Sequence, residues 1–238
     1  MALPKLTTAK FSVELPSTKE KIEFRPFLVR EEKALLIAME SGEQSDMIAA
    51  MKEIVNNCVE TPGFDVSKIP FFDAEYLFLH LRAKSVGEIS KLEYRHTDGV
   101  NYEGNPCEVA TEVSINLEEI EVKGMGDADD KVKLNDQLSV KLKYPSMMDV
   151  SKHSIGDNPS EINLLASAIE YAFDENEIYE ADTEEEKIEF IESMNAQQIE
   201  KISQFFAAMP RIRHSVTYKC EGCGQEDKIE LEGLADFF

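Results

Sequence analysis

Cys220-Glu-Gly-Cys223-Gly224 is the sharpest chemical motif in the chain. Two thiolates at that spacing in a tight turn form one half of a tetrahedral zinc site, and a full site takes two further ligands. The other candidates are His96 and Cys107, or His214. A ribbon of two hairpins that brought His96, Cys107, Cys220 and Cys223 together would complete the set. The competing reading is a turn whose remaining ligands have been lost. The sequence favours that second reading, because His96 and Cys107 are far apart and form no knuckle of their own. The expectation is therefore no cofactor and free thiols, with zinc as the alternative. A redox role fits less well still. Thioredoxin-like Cys-x-x-Cys sites open a helix, and this one lies between strand patterns.

The other reactive side chains have plainer readings. His80 falls on an apolar helical face and is expected in the core. His153 sits in a polar stretch with no partner at useful spacing. Cys58, beside Val59, reads as a small buried hydrophobe. Glu118-Glu119 and Glu184-Glu-Glu186 are paired carboxylates, but they lie in charge runs with no apolar pocket to shift a pKa. The sequence has no Gly-rich phosphate loop, Ser-centred nucleophile elbow or His-Glu metal helix. The chain therefore reads as something other than an enzyme, with no catalytic or cofactor-binding residue and no small-molecule substrate. Leu234, Phe237 and Phe238 form an apolar tail. Such residues fray unless tied down, so they either dock on their own fold or enter a partner's groove.

Charge narrows the partners. The chain of 238 residues carries 47 acids against 25 bases, a net charge of −22. Such a surface repels phosphate backbones and anionic headgroups, so nucleic acid and membrane are poor partners and basic protein surfaces good ones. No apolar run approaches the roughly 20 residues that span a bilayer. Met1-Ala-Leu-Pro-Lys5 lacks the order of a signal peptide. Four cysteines are too few for a disulfide scaffold in a chain this long. The expected setting is the cytosol, with reduced thiols.

The elements that must position these residues follow from periodicity. Phe11, Val13 and Leu15, then Ile22 and Phe24, alternate as a hairpin. The run Lys21 to Gly42 passes from that strand, through Pro26, into a helix with Leu28, Leu35, Leu36 and Met39 as its apolar stripe. A second helix runs from a Ser45-Asp46 cap to about Val59, and a third from an Asp73 cap to Gly87. Leu92 and Tyr94, Val109 to Leu117, Ile120 and Val122, and Leu138 to Tyr144 alternate as strands. Ile162, Leu165, Ile169 and Phe173 suit a helix, and another ends at Pro210. The expected fold is α+β: an N-terminal strand–helix layer (1–88), an antiparallel β-rich middle (89–145), a second helical set (146–210) and a C-terminal hairpin with the Cys-x-x-Cys (211–238), in one or two compact units.

Two segments echo each other. Leu92 to Cys107 leads to Ile115-Asn-Leu-Glu-Glu-Ile120, and Val216 to Cys223 leads to Ile229-Glu-Leu-Glu-Gly-Leu234. Each reads as a hairpin with Cys or His at its tip, followed by the same apolar-spaced exit. Two hairpins too short to bury their own faces are expected to pack on each other.

The run Phe24-Arg-Pro-Phe-Leu-Val-Arg-Glu-Glu-Lys33 resembles the N-terminal signature of the baseplate hub assembly proteins of T4-type contractile-tailed phages. Leu81-Arg-Ala-Lys-Ser-Val-Gly-Glu88 shows a second similarity to them. The resemblance implies a non-enzymatic, chaperone-like factor for the central hub of the tail baseplate. Its partners would be other hub proteins, met in the host cytoplasm during assembly. A permanent hub subunit in the virion tail is the alternative it implies. A zinc-ribbon binding module is the rival from outside the family, and the charge opposes it where the ligand is nucleic acid.

Overall fold

A computed structural model of the chain describes residues 7–95, 104, 107–153 and 160–237. The fold is mixed α+β with a C-terminal hairpin. Strands β1 (Phe11–Glu14) and β2 (Lys21–Phe24) pair antiparallel, with Phe11 opposite Phe24 and Val13 opposite Ile22. The free edge of β2 is covered by the exit of α2 (Gln44–Cys58). Arg25 N–H donates to the Cys58 carbonyl at 3.0 Å, and Glu60 N–H to that of Glu23 at 2.8 Å. Pro26 ends the strand and α1 (Val29–Ser41) follows, closed by Gly42 at φ 69°, where an L side chain is disfavoured.

The apolar stripe of α1 differs from the one its sequence suggests. Leu35 and Ala38 face the core, whereas Leu36 is 52% exposed and Leu28 and Met39 are exposed too. The displaced position belongs to Glu31, which is too deep for an unpaired charge. Its carboxylate is buried, capped by the Leu28 N–H at 2.8 Å and paired with Arg30 at 2.6 Å and Arg25 at 3.2 Å. A charge so paired can occupy a core-facing site that periodicity assigns to an apolar residue.

Helix α3 (Phe71–Ser85) is the centre of the molecule, with Leu77, Phe78, Leu79 and Leu81 all buried. Asp73 does not cap it. Pro70 holds the cap position, and Asp73 lies buried inside the first turn, where its carboxylate accepts from Ser17 N–H at 3.2 Å and from the Ser17 hydroxyl. The bond ties the β1–β2 turn to α3.

The two echoing segments are hairpins. Strands β3 (Ile89–Tyr94) and β4 (Thr111–Asn116) pair antiparallel. After a 3-10 turn at Leu117–Glu119, β5 (Glu121–Lys123) pairs with β10 (Arg211–Lys219), whose other edge pairs with β11 (Glu226–Glu232). Both exits then do the same work. Leu117 and Ile120 from one, and Leu231 and Leu234 from the other, enter one core with β1, β2 and α1–α3.

Between β5 and β10 the chain builds a second core. Strands β6 (Lys131–Lys133), β7 (Ser139–Leu142), β8 (Ile169–Phe173) and β9 (Ile178–Tyr179) form a sheet in that order. Helices α5 (Glu161–Ser167), α6 (Glu184–Glu192) and α7 (Ala196–Ala208) cover it, burying Val140, Leu142, Ile169, Ile191, Ile202 and Phe205 together. The helix read through Ile169 and Phe173 stops at Ser167 and becomes β8. Ile169, Tyr171 and Phe173 also satisfy a period of two, and pairing with β7 decides between the readings. Helix α4 (Met147–His153) returns Met147 to the first core. Among the described residues no helix is long and apolar enough to cross a membrane.

Candidate functional site

The tips of the two echoing hairpins lie at the same end. Tyr94 and Tyr218 bring their rings to 6.4 Å, and Glu221 N–H donates to Thr111 Oγ1 at 3.1 Å, tying the Cys-x-x-Cys turn to the start of β4. Within that contact Cys107 Sγ stands 3.6 Å from Cys220 Sγ. The sulfurs of Cys107, Cys220 and Cys223 all lie within 4.8 Å of one another. Cys107 and Cys220 are buried and Cys223 half-buried, and no disulfide joins any of the three.

Local backbone geometry accounts for the convergence. The turn closes with Cys220 N–H donating to the Gln225 carbonyl and Gly224 N–H to the Cys220 carbonyl, each at 2.9 Å. Gly224 takes φ 74°, which lets the chain reverse directly after Cys223. Gly222 is required for another reason. A Cβ there would lie 2.5 Å from Val109 Cγ2 and 3.0 Å from Cys107 Sγ, so the turn rests with its bare backbone against the opposite tip. The Val109 backbone N–H faces Cys107 Sγ, and this tends to hold the thiolate form. Burial and the neighbouring sulfurs oppose it, and the Cys107 pKa rises on balance.

The remaining sequence candidates are placed as follows. His96 and Phe238 lie outside the described residues. His214 sits in β10 opposite Leu231, away from the tip. His80 is packed on α3 with Tyr76 edge-on at 4.5 Å, and burial holds its pKa below the usual histidine value. His153 is not in a polar loop. It ends α4, is buried, and pairs through Nε2 with Glu184 Oε1 at 2.9 Å, a partner from α6 that sequence spacing does not reveal. Cys58 is fully buried, and desolvation pushes its thiol up to about 11, so it is an inert core residue. Glu118 pairs with Lys84, and Glu184 with Lys152 as well as His153. Leu234 and Phe237 occupy the chain's own core, where the Phe237 carbonyl accepts from Ser90 Oγ at 2.9 Å. They dock on their own fold, with Phe237 fully covered.

One surface was hidden from the sequence. Val29, Leu36 and Ile37 on the outer side of α1 are 79%, 52% and 57% exposed. Beside them a groove of about 470 Å³ runs between α1, α2 and Gly233–Ala235, lined in part by Met39, Met47, Met51, Phe71 and Leu234. The sequence signal for this face was Glu31, whose place in the core turns Leu36 outward. Methionine-rich grooves suit partners of irregular shape, because the thioether side chain repacks easily.

No curated protein and no solved structure matches the chain. The model of the family described as T4 bacteriophage base plate protein does match, over residues 8–238, and the chain belongs to that family.

Proposed function

We propose that the chain is a non-enzymatic assembly factor for the central hub of the phage tail baseplate, and that it holds hub proteins through the outer face of α1 and the adjoining methionine-lined groove. Family membership makes other baseplate proteins its partners. The observation that carries the reading is the exposed run Val29, Leu36 and Ile37 on a chain whose net charge is −22. An apolar helix face on a strongly acidic chain suits a partner with an apolar centre and a basic rim. A single helix face is also a small contact, which suits a factor that lets go once the baseplate closes. The alternative within the family, a permanent hub subunit, makes the same contacts and keeps them.

Capture from infected cells, with purified virions analysed separately, distinguishes the two. The assembly reading expects the chain bound to hub proteins in the lysate and absent from the particles. A fixed stoichiometry in virions would make it a structural subunit instead. Leu36→Glu with Ile37→Glu should abolish binding to purified hub components. Thermal stability should change little, because both side chains face water.

The charge adds a second expectation. Raising ionic strength from 0.1 to 1 M shortens the screening length from about 10 Å to about 3 Å. Association with a basic hub component should slow steeply over that range. An association rate that does not change would limit the acidic surface to a solubility role.

A further inference from the structure

We propose that Cys107, Cys220 and Cys223 hold a zinc ion that staples the tips of the β3–β4 and β10–β11 hairpins. The inference is independent of the hub reading. Three sulfurs from two separate sheets meet within 4.8 Å, and Cys107 and Cys220 are 3.6 Å apart. A tetrahedral zinc with Zn–S bonds of about 2.3 Å sets its sulfurs about 3.8 Å apart. A disulfide would bring the two sulfurs to about 2.05 Å. The observed spacing is too long for a disulfide and matches what thiolates sharing an ion require.

The surroundings are built for the same geometry. The turn after Cys220 closes on its own backbone, Gly224 reverses the chain, and Gly222 lets that turn rest on Cys107 and Val109. The Val109 N–H aimed at Cys107 Sγ is the kind of backbone contact that orients a ligand and offsets its charge. The Glu221–Thr111 hydrogen bond fixes the two tips together without any metal, so the ligands are preorganised. Among the described residues no fourth side chain joins the group, and the proposal commits to three protein thiolates. The fourth position takes water or a further donor. Each cysteine gives up its thiol proton to solvent as the ion binds, and no redox change is involved.

The test uses the full chain, purified reduced and without added metal or chelator. Elemental analysis is expected to find about one zinc per chain, bound tightly enough to survive purification. Cys223→Ser, at the half-buried ligand, should remove most of it, while Cys58→Ser should leave it in place. Cobalt(II) added to the chelated protein should give thiolate charge-transfer absorption that zinc then displaces. Cobalt absorption is a readout that does not depend on the variants folding. Zinc below about 0.1 per chain, with no thiolate absorption on adding cobalt, would overturn the proposal. So would a Cys107–Cys220 disulfide in protein kept reduced. Zinc that Cys223→Ser retains and Cys58→Ser loses would place the ion elsewhere and overturn it equally.

Discussion

Phe24→Ala is expected to lower stability by about 3–5 kcal/mol, the range for truncating a large buried aromatic. Phe24 is 1% exposed and shares its core with Leu77 and Leu81 of α3. Its ring lies 6.1 Å from that of Phe11 across the first hairpin, and its backbone bridges to Val59. Both neighbours are held at the backbone, Phe11 by strand pairing and Val59 by the bridge, which limits collapse into the void. Chemical denaturation measures the loss, and a change under about 1 kcal/mol would place Phe24 outside the core. Leu36→Ala is the matched control. It should cost less than about 0.5 kcal/mol, as an exposed position does.

The second large effect depends on pH. Glu75 on α3 is 7% exposed, and its carboxylate accepts the Leu234 N–H at 3.0 Å. Desolvation pushes its pKa up to about 7, against a smaller downward pull from that hydrogen bond and from Arg211, with Glu232 adding to the rise. The folded state therefore holds the proton more tightly than the unfolded state. The associated stability is complete below the ordinary carboxylate range near 4.5 and is lost as pH rises through about 7. At 1.36 kcal/mol per unit the loss amounts to about 3 kcal/mol. Glu75→Gln cannot ionise and escapes it. The stability of the variant minus that of the wild type should climb between pH 4.5 and 7 and then level off. Subtraction removes the general effect of the acidic surface. Parallel curves at every pH would show that Glu75 is solvated in the folded state. The residue anchored through Glu75 is Leu234, so the undocking should begin at the tail.

Much of this architecture was legible because the period of its hydrophobic residues is unambiguous. The first hairpin, α1 to α3, α7 and the terminal hairpin all stand where Phe24, Leu77, Phe205 and Tyr218 require. The failures share a cause, which is that local patterns do not encode a distant partner. Ile169 to Phe173 satisfies two periods at once, and only β7 selects the strand. Leu36 looks like core until Arg25 is seen to carry Glu31 inside. His153 looks isolated until α6 brings Glu184 to it. At the cysteines, the echo between the two hairpins pointed to a common packing. What spacing could not supply was the contact of Gly222 with Val109, which brings the tips within bonding range.

The pairing of β5 with β10 bears on how the chain reaches this state during synthesis. Lys123 and Arg211 are partners in the ladder, yet the whole second core is made between them. When that core folds, its two ends emerge side by side, and the long loop that would have to close becomes a short one. The inserted core thus acts as a clamp on the first. Until β10 and β11 arrive, Ile115, Leu117 and Ile120 have no cover from Ile212, Leu231 or Phe237. A ribosome-bound chain therefore carries a half-built N-terminal core with an open apolar side, and that interval is when it is most exposed to misassociation and proteolysis.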